Sequence, residues 1–172
     1  GGTCGGTCDG AGACQYPPTT LGCGTCSRCD AAGSCISVPS NTDPDNTCSQ
    51  PCTTCNGNGS CKNVGVGSLP AADAAGDCTA ASTSSCGHNG KCNGNGNCQY
   101  YGSETIGIAQ FCTGAGTTAD PAAVNYADTC NGSGGYNDGN FSYCTPYKCQ
   151  DSTQCRTGCT QQSDCQQGYF CD

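Results

Sequence analysis

The sequence contains no tryptophan and no methionine, and it has very few of the large apolar residues that build protein cores. Valine, isoleucine, leucine and phenylalanine together number twelve in 172 residues. That is far below the fraction found in ordinary globular domains. Burial of so few side chains cannot by itself offset the conformational entropy of so long a chain. A fold held together by a conventional hydrophobic core is therefore excluded.

Positive charge is also scarce, with five basic residues against thirteen acidic ones and a formal net charge of −8. The basic residues are scattered singly, whereas nucleic-acid binding requires clustered lysine and arginine. The same scatter disfavours attachment to an anionic membrane surface. The chain has no apolar run of 18 residues, so membrane insertion is not expected.

The groups that usually perform acid–base catalysis are nearly missing. His88 is the only histidine and Glu104 the only glutamate, and His88 lies in a polar turn between cysteines. Neither a Gly-x-Ser-x-Gly motif nor a phosphate-binding Gly-Lys-Ser/Thr motif is present. We therefore expect a protein without catalytic activity or a cofactor.

Cysteine is the residue that the chain has in excess, at 23 copies. Such density is typical of disulfide-stabilised proteins in oxidising surroundings, which predicts an extracellular location. The alternative, a zinc-cluster protein, would need discrete sets of four ligands, whereas these cysteines are spread from Cys4 to Cys171. Two Cys-x-x-Cys pairs begin at Cys23 and Cys52, but neither opens a plausible helix, so structural bonding is favoured over redox activity.

One short motif recurs along the chain and predicts a series of tight β-hairpins. Asn-Gly and Asp-Gly are strong signals for a type I′ turn, in which both central residues have positive φ. The second glycine suits a further left-handed position. The four full copies and one incomplete copy read Cys8-Asp-Gly-Ala-Gly-Ala-Cys14, Cys29-Asp-Ala-Ala-Gly-Ser-Cys35, Cys55-Asn-Gly-Asn-Gly-Ser-Cys61, Cys92-Asn-Gly-Asn-Gly-Asn-Cys98 and Cys130-Asn-Gly-Ser-Gly.

The two cysteines of each motif should flank the turn, one on each arm. They can bond to each other or to neighbouring units, and the sequence leaves this open. The cysteines assigned to the disulfide framework are Cys8, Cys14, Cys29, Cys35, Cys55, Cys61, Cys92, Cys98, Cys144, Cys149, Cys155, Cys159 and Cys165.

Regular structure outside the hairpins is predicted at two places. The segment from Thr105 to Phe111 alternates so that Ile106 and Ile108 share one face of a strand. An internal strand covering a cysteine cluster is favoured there over an exposed docking edge. Pro121-Ala-Ala-Val is compatible with one helical turn capped by Asp120, and almost no other helix is expected.

Cysteine spacing changes near residue 130, which divides the chain into hairpin repeats with variable loops (1–129) and a C-terminal cysteine-rich segment (130–172). The predicted fold is small, disulfide-rich and mostly irregular, with short β-hairpins arranged in an elongated repeat array.

These motifs resemble the cysteine-rich repeat regions of large secreted surface proteins of myxobacteria and related deltaproteobacteria. The resemblance covers nearly the whole chain and implies export, a disulfide framework and a surface or stalk role. Departures are the missing cysteine after Cys130 and the long loops after Cys61 and Cys98. Besides the hairpins, the matching runs are Thr42-Asp-Pro-Asp-Asn-Thr-Cys48, Cys144-Thr-Pro-Tyr-Lys-Cys149, Cys155-Arg-Thr-Gly-Cys159 and Ser163-Asp-Cys with Gly168-Tyr-Phe-Cys171.

Two small groups of residues are candidate binding sites. Asp43 and Asp45 place carboxylates at alternate positions, as calcium loops do, although the distal glutamate of an EF-hand is lacking. The simpler interpretation is a turn leading to Cys48. The neighbouring rings of Tyr100 and Tyr101 form a candidate patch for glycan recognition, although tyrosines also cover disulfides.

The number of cysteines is odd, so at least one is free or bonded outside the chain. Cys4 and Cys171 are the candidates for such bonds, because the two termini placed in series would nearly form another hairpin motif. Two functions follow from the sequence. The first is a structural segment of an extracellular stalk or fibre, partnered by copies of itself or by flanking repeats of a longer chain. The second is an adhesin that binds glycan or another cell through its loops.

Overall fold

Short antiparallel strand pairs and irregular loops make up the chain in a computed structural model, which describes residues 3–71 and 78–172. No α-helix occurs within these residues, and the two helical elements are three-residue 3-10 turns at Thr83–Ser85 and Gln162–Asp164. Eleven disulfides are present. The predicted fold class, a disulfide-rich chain with short hairpins and almost no helix, is confirmed.

The chain divides into two units, the first formed by Gly1–Ala80 and His88–Gln99 and the second by Ala81–Gly87 and Tyr100–Asp172. Residue 130, where the cysteine spacing changes, therefore lies inside the second unit. The reason is that the strand Asp128–Cys130 pairs with a strand on each side.

Four small sheets form the first unit: β1–β2, β3–β4–β5, β6–β7 and β8–β9. None has more than three strands, and the final residue of β9 is already assigned to the second unit. The strands are β1 (Thr7–Cys8), β2 (Cys14–Gln15), β3 (Gly22–Gly24), β4 (Ser27–Cys29), β5 (Cys35–Ser37), β6 (Thr53–Cys55), β7 (Cys61–Asn63), β8 (His88–Cys92) and β9 (Cys98–Tyr100).

Two three-stranded sheets form the second unit, in the orders β10–β13–β14 and β11–β12–β15. Both contain a strand brought in from a distant part of the sequence. The strands are β10 (Ile106–Ile108), β11 (Phe111–Thr113), β12 (Ala123–Asn125), β13 (Asp128–Cys130), β14 (Tyr136–Asn137) and β15 (Phe141–Tyr143).

The predicted hairpins form at the motif copies, which we number 1 to 5 from residues 8, 29, 55, 92 and 130. In hairpins 1, 2 and 3 the two motif cysteines lie directly opposite each other, as in the pair Cys55 and Cys61. In hairpin 5, Tyr136 takes the position opposite Cys130. The placement of one cysteine on each arm is thus confirmed, and the hairpin persists where the second cysteine is missing.

The turn inside these hairpins differs from the predicted type I′ turn. In hairpin 3, Gly57 and Gly59 have positive φ, at 88° and 77°, whereas Asn56 does not lie in the left-handed region. The Oδ1 atom of Asn56 accepts hydrogen bonds from the backbone N–H groups of Asn58 and Ser60, at 2.7 and 3.3 Å. The first residue therefore caps the loop with its side chain instead of forming part of a two-residue turn.

All five hairpins share this capped loop. The cap residue also donates its own N–H to the carbonyl four positions later, at 2.8 to 3.0 Å. The geometry requires a side-chain oxygen at the cap position, and both aspartate and asparagine supply one. The five cap residues are Asp9, Asp30, Asn56, Asn93 and Asn131.

Both predictions of regular structure outside the hairpins were wrong in detail. The segment predicted as one internal strand splits into β10 and β11, which belong to different sheets. β10 pairs only with β13, and Ile106 and Ile108 are exposed, so the strand lies at a sheet edge. The expected helical turn at Pro121 is instead the approach to β12, the central strand of its sheet. Pairing with strands on both sides outweighs the weak local preference for a helix.

Half-cystines occupy the places that aliphatic side chains take in most proteins. One buried cluster consists of Cys26, Cys48, Cys55 and Val38. A second contains four half-cystines with Val64 packed against them, and a third surrounds Ala122 and Val124. Val38, Val64 and Val124 thus pack on half-cystines instead of on one another, whereas Val66 is exposed.

Candidate functional site

The pairing of the cysteines follows a repeated rule. Beginning with hairpin 2, the first cysteine of each hairpin bonds backward to a cysteine of the preceding part of the chain. We call these four bonds the disulfide ladder: Cys4–Cys29, Cys26–Cys55, Cys52–Cys92 and Cys86–Cys130.

The loops that the disulfide ladder closes overlap along the sequence. Cys26 lies three residues before Cys29, so the second loop opens before the first has closed. The third loop opens in the same way at Cys52, three residues before Cys55, and the fourth opens six residues before Cys92. A continuous covalent path therefore runs from Cys4 to Cys130 and includes only short stretches of backbone.

A second set of bonds closes each repeat on itself. The second cysteine of hairpins 2, 3 and 4 bonds to a cysteine in the loop immediately before that hairpin, giving Cys23–Cys35, Cys48–Cys61 and Cys78–Cys98. Hairpin 1 has no such partner, and Cys8 bonds to Cys14 across the hairpin. In hairpin 5 the hydroxyl of Tyr136 donates to the carbonyl of Ser84, so a hydrogen bond stands where the others have a disulfide.

The remaining disulfides are Cys112–Cys149, Cys144–Cys155 and Cys159–Cys171. Cys4 and Cys171, which the sequence assigned to bonds outside the chain, are therefore both paired within it. Cys165, which was assigned to the framework, is the unpaired cysteine and is buried. This corrects both assignments, because the repeated hairpin pattern does not extend to the equally spaced cysteines at the C-terminus.

The Cys-x-x-Cys pairs are not bonded within themselves. Cys23 and Cys26 bond to Cys35 and Cys55, whereas Cys52 bonds to Cys92. A reactive Cys-x-x-Cys site needs its two sulfurs to form and break a bond with each other. These cysteines instead link separate parts of the framework.

The most enclosed potential metal ligands are also committed to disulfides. Cys26, Cys48 and Cys55 place their sulfurs, together with a carboxylate oxygen of Asp43, within 4.8 Å of one another. All three sulfurs are bonded to other cysteines. Zinc binding requires thiolates, so this group has the spacing of a metal site but not its chemistry.

Asp43 and Asp45 are directed to different partners. Asp43 is 1% exposed, and its carboxylate accepts hydrogen bonds from the backbone N–H groups of Thr47 and Cys48, at 2.9 and 2.8 Å. The interpretation of this run as a turn leading to Cys48 is therefore confirmed. Asp45 forms a two-pronged ion pair with Arg28, at 2.7 and 2.8 Å. The hydrogen bond from Arg28 holds the pKa of the Asp45 carboxyl below its ordinary value.

The two tyrosines of the predicted recognition patch differ in their surroundings. The hydroxyl of Tyr101 donates to the carbonyl of Ala81 at 2.9 Å, and its backbone N–H donates to Gly87 at 3.0 Å. Tyr100 is 39% exposed, and its ring lies against Gly134 of hairpin 5. Tyr101 is therefore partly buried and held by its hydroxyl, whereas the ring of Tyr100 is the more exposed of the two.

A polar cavity that the sequence did not suggest lies beside β6 and β7. Its volume is about 350 Å³, and its lining includes Asn41, Thr54, Asn63 and Leu69. Thr54 is 2% exposed, and its hydroxyl has no hydrogen-bond partner within residues 3–71 and 78–172. The hydroxyl oxygen of Thr54 is itself shielded from solvent, so the polar side chains that this cavity presents to a ligand are those of Asn41, Lys62, Asn63 and Ser68.

No protein-family model, no curated protein and no solved structure matches the chain. Within the described residues, no helix is long or apolar enough to cross a membrane. What the chain does must therefore be inferred from its own residues.

Proposed function

We propose that this chain is a tension-resistant structural segment of an extracellular surface stalk or fibre. The observation that carries the proposal is the overlap of the loops in the disulfide ladder. Because each loop opens before the previous one closes, a pulling force passes from one disulfide to the next. Most of the backbone lies in the side loops and does not transmit the force.

The overlap strongly limits how far the chain can be stretched. A free chain from Cys4 to Cys130 would extend to about 440 Å at roughly 3.5 Å per residue. Through the disulfide ladder, whose Cα–Cα spans are 5.2 to 5.6 Å, the same two residues can separate by only about 60 Å. Noncovalent contacts of this small protein would not be needed to hold its length under load.

Composition and resemblance support the same location and role. Eleven disulfides are stable in the oxidising surroundings outside the cell. The motifs resemble those of secreted surface proteins. With only five lysine and arginine residues, the surface also offers few sites to trypsin-like proteases.

Single-molecule stretching of the full chain from its two ends tests the proposal. We expect the oxidised chain to extend to about 150 Å and the reduced chain to about 600 Å, at roughly 3.5 Å per residue. Removal of the bond between Cys52 and Cys92 by C52A/C92A should lengthen the oxidised chain by about 70 Å. The matched control C8A/C14A should leave the length unchanged, because both residues lie inside the loop closed by Cys4–Cys29. Equal extension of oxidised and reduced chains would overturn the proposal.

The polar cavity favours a second candidate function, recognition of a neutral saccharide. Asn41, Asn63 and Ser68 supply uncharged donors and acceptors of the kind that sugar hydroxyls require, Lys62 adds a further donor, and Leu69 supplies an apolar surface. A glycan array with the Asn63→Ala variant tests this role. Selective binding that the substitution abolishes, while Tyr100→Ala leaves it intact, would locate an adhesin site in the cavity instead of at the predicted tyrosine patch.

A further inference from the structure

Three sulfur atoms lie together near the C-terminus, although only two of them are bonded. Cys165 is unpaired and 4% exposed, and Cys159 is bonded to Cys171. The three Sγ atoms lie within 4.8 Å of one another. All 23 cysteines lie in the described residues, and Cys165 is the one of them that has no disulfide.

The structure holds two of these cysteines more firmly than the third. Cys165 forms a backbone bridge with Tyr147. Next to it, the buried carboxylate of Asp164 accepts hydrogen bonds from the N–H and hydroxyl of Thr160, at 2.9 and 3.1 Å. Thr160 follows Cys159, so Cys159 and Cys165 are both fixed by contacts that do not involve their own sulfurs.

Cys171 has weaker support. Its backbone N–H donates to the side chain of Gln162 at 3.3 Å, and the same side chain donates to the carbonyl of Tyr169 at 2.7 Å. The neighbouring Phe170 is 80% exposed. Apart from its disulfide, the segment around Cys171 is thus held by the side chain of Gln162 and by one backbone hydrogen bond, from the N–H of Tyr169 to the carbonyl of Gln166 at 3.1 Å.

We propose that these three cysteines form a thiol–disulfide exchange site that delivers a reactive thiol to Cys171. The thiolate of Cys165 attacks the Sγ atom of Cys159. The Cys159–Cys165 bond forms as the Cys159–Cys171 bond breaks, and Cys171 leaves as a thiolate. One disulfide and one thiol are present before and after the step, so no oxidant or reductant is consumed.

Cys165 is six residues from both Cys159 and Cys171, so spacing permits attack on either sulfur and the difference in support sets the direction of exchange. Cys159 and Cys165 are six residues apart, the same separation that the Cys8–Cys14 disulfide closes elsewhere in the chain. Cys171 is the leaving group because its release frees a lightly held segment, whereas Cys159 stays fixed through Thr160. The released thiolate can then attack an external disulfide, forming a mixed disulfide and releasing the other half as a thiolate.

The consequence is a site of covalent attachment that is inaccessible until the exchange occurs. Burial of Cys165 limits direct reaction of the free thiol with molecules in solution. Exchange transfers that thiol to Cys171, which is partly exposed and follows the exposed Phe170, so that another molecule carrying a disulfide can be coupled there. The inference concerns only the cluster formed by Cys159, Cys165 and Cys171. The stretching behaviour of the disulfide ladder therefore neither supports nor contradicts it.

The first test treats the native, oxidised full chain with the aromatic disulfide DTNB and locates the adduct by fragmenting the tryptic peptide 157–172. We expect one equivalent of adduct, carried by Cys171, together with a Cys159–Cys165 disulfide. The reaction should be lost in Cys165→Ser. An adduct on Cys165, or no reaction of the native wild-type chain, would overturn the proposal.

The second test does not depend on access of a reagent to the folded chain. In Cys171→Ser, 22 cysteines remain, and the proposal expects Cys159 and Cys165 to pair. Alkylation in denaturant should then find no free thiol. Two alkylated cysteines at positions 159 and 165 would show that the sulfurs do not exchange, and would contradict the proposal even if the chain folds normally.

Discussion

The Sγ atom of Cys26 lies 3.4 Å from the Sγ atom of Cys48, although these two cysteines belong to different disulfides. Neither sulfur carries a proton, so this is a van der Waals contact between two stacked disulfides. Contacts of 3.5 Å recur between Cys52 and Cys78 and between Cys112 and Cys144. Stacked disulfides therefore form the centres of the buried clusters and supply the close packing that aliphatic side chains give elsewhere.

Complete reduction should unfold the chain. The buried clusters consist mainly of half-cystines, so breaking the bonds removes the cross-links and the packed core together. We expect reduced and alkylated protein to lose its β-type circular dichroism and its resistance to thermolysin. Retention of both properties after full alkylation would contradict the proposed role of the disulfides.

Removal of one buried disulfide should cost more than removal of an exposed one. By the loop-entropy estimate, C26A/C55A should lower the free energy of unfolding by about 3.5 kcal/mol, and the cavity left beside Val38 should add to that loss. The control C8A/C14A removes a bond between exposed residues and should cost about 2 kcal/mol. Guanidinium denaturation with the other disulfides intact measures both. A difference of only about 1.5 kcal/mol, which is the loop-entropy difference alone, would show that the buried packing adds nothing.

The hairpins could be predicted from the sequence because their geometry is set locally. Oxygen at the cap position and glycine at the left-handed positions are sufficient to close each loop, as at Asn131 and Gly132 in hairpin 5. The disulfide connectivity could not be predicted in this way. Cys29 and Cys35 face each other in the hairpin but bond to Cys4 and Cys23, and only tertiary packing distinguishes these pairings.

The misassigned strand shows a second reason why part of the fold could not be predicted from the sequence. Alternation at Ile106 and Ile108 indicates an extended strand, but burial requires other apolar residues to cover it. The chain has too few of them, and both side chains remain exposed. The polar cavity was missed for a similar reason, because no local pattern indicates that the hydroxyl of Thr54 is buried without a partner among residues 3–71 and 78–172.

The third position of the hairpin motif offers a matched pair of substitutions. Ala31 has a φ of 63° where the other hairpins have glycine. Ala31→Gly should therefore raise the free energy of unfolding by about 0.5 to 1 kcal/mol, because relieving the strain of a left-handed alanine outweighs the entropy cost of glycine. Gly57→Ala should lower it by about 1 kcal/mol. Gly5→Ala is the control, because its φ is not positive and the added methyl group meets open space. A loss of stability in Ala31→Gly together with a gain in Gly57→Ala would contradict the capped-loop geometry.

The buried carboxylate of Asp43 should contribute to stability through its hydrogen bonds. Asp43→Ala leaves the backbone N–H groups of Thr47 and Cys48 without their acceptor and should cost about 2 to 3 kcal/mol. Asp138→Ala is the control, since this exposed residue accepts one hydrogen bond, from the N–H of Asn140 at 2.7 Å, and its loss should cost less than about 1 kcal/mol. Chemical denaturation of the oxidised variants measures the difference. If addition of millimolar calcium stabilises the wild type but not Asp43→Ala, Asp43 acts as a calcium ligand instead.

The hairpin caps should make stability depend on pH only where the cap is an aspartate. Hydrogen bonds from the backbone N–H groups of Ser34 and Ala32 hold the pKa of Asp30 below its ordinary value. A carboxyl with a lowered pKa in the folded state contributes its full stability above the unfolded value of about 3.9, and this contribution is lost as the pH falls through the folded pKa. Asp30→Asn should therefore lose less stability than the wild type between neutral pH and about pH 2. The reciprocal variant Asn56→Asp should lose more. Denaturation midpoints across this range measure the effect, and an NMR titration of the Asp30 carboxyl isolates it from the other aspartates. An Asp30 pKa at or above the unfolded value would contradict the capping role of its charged form.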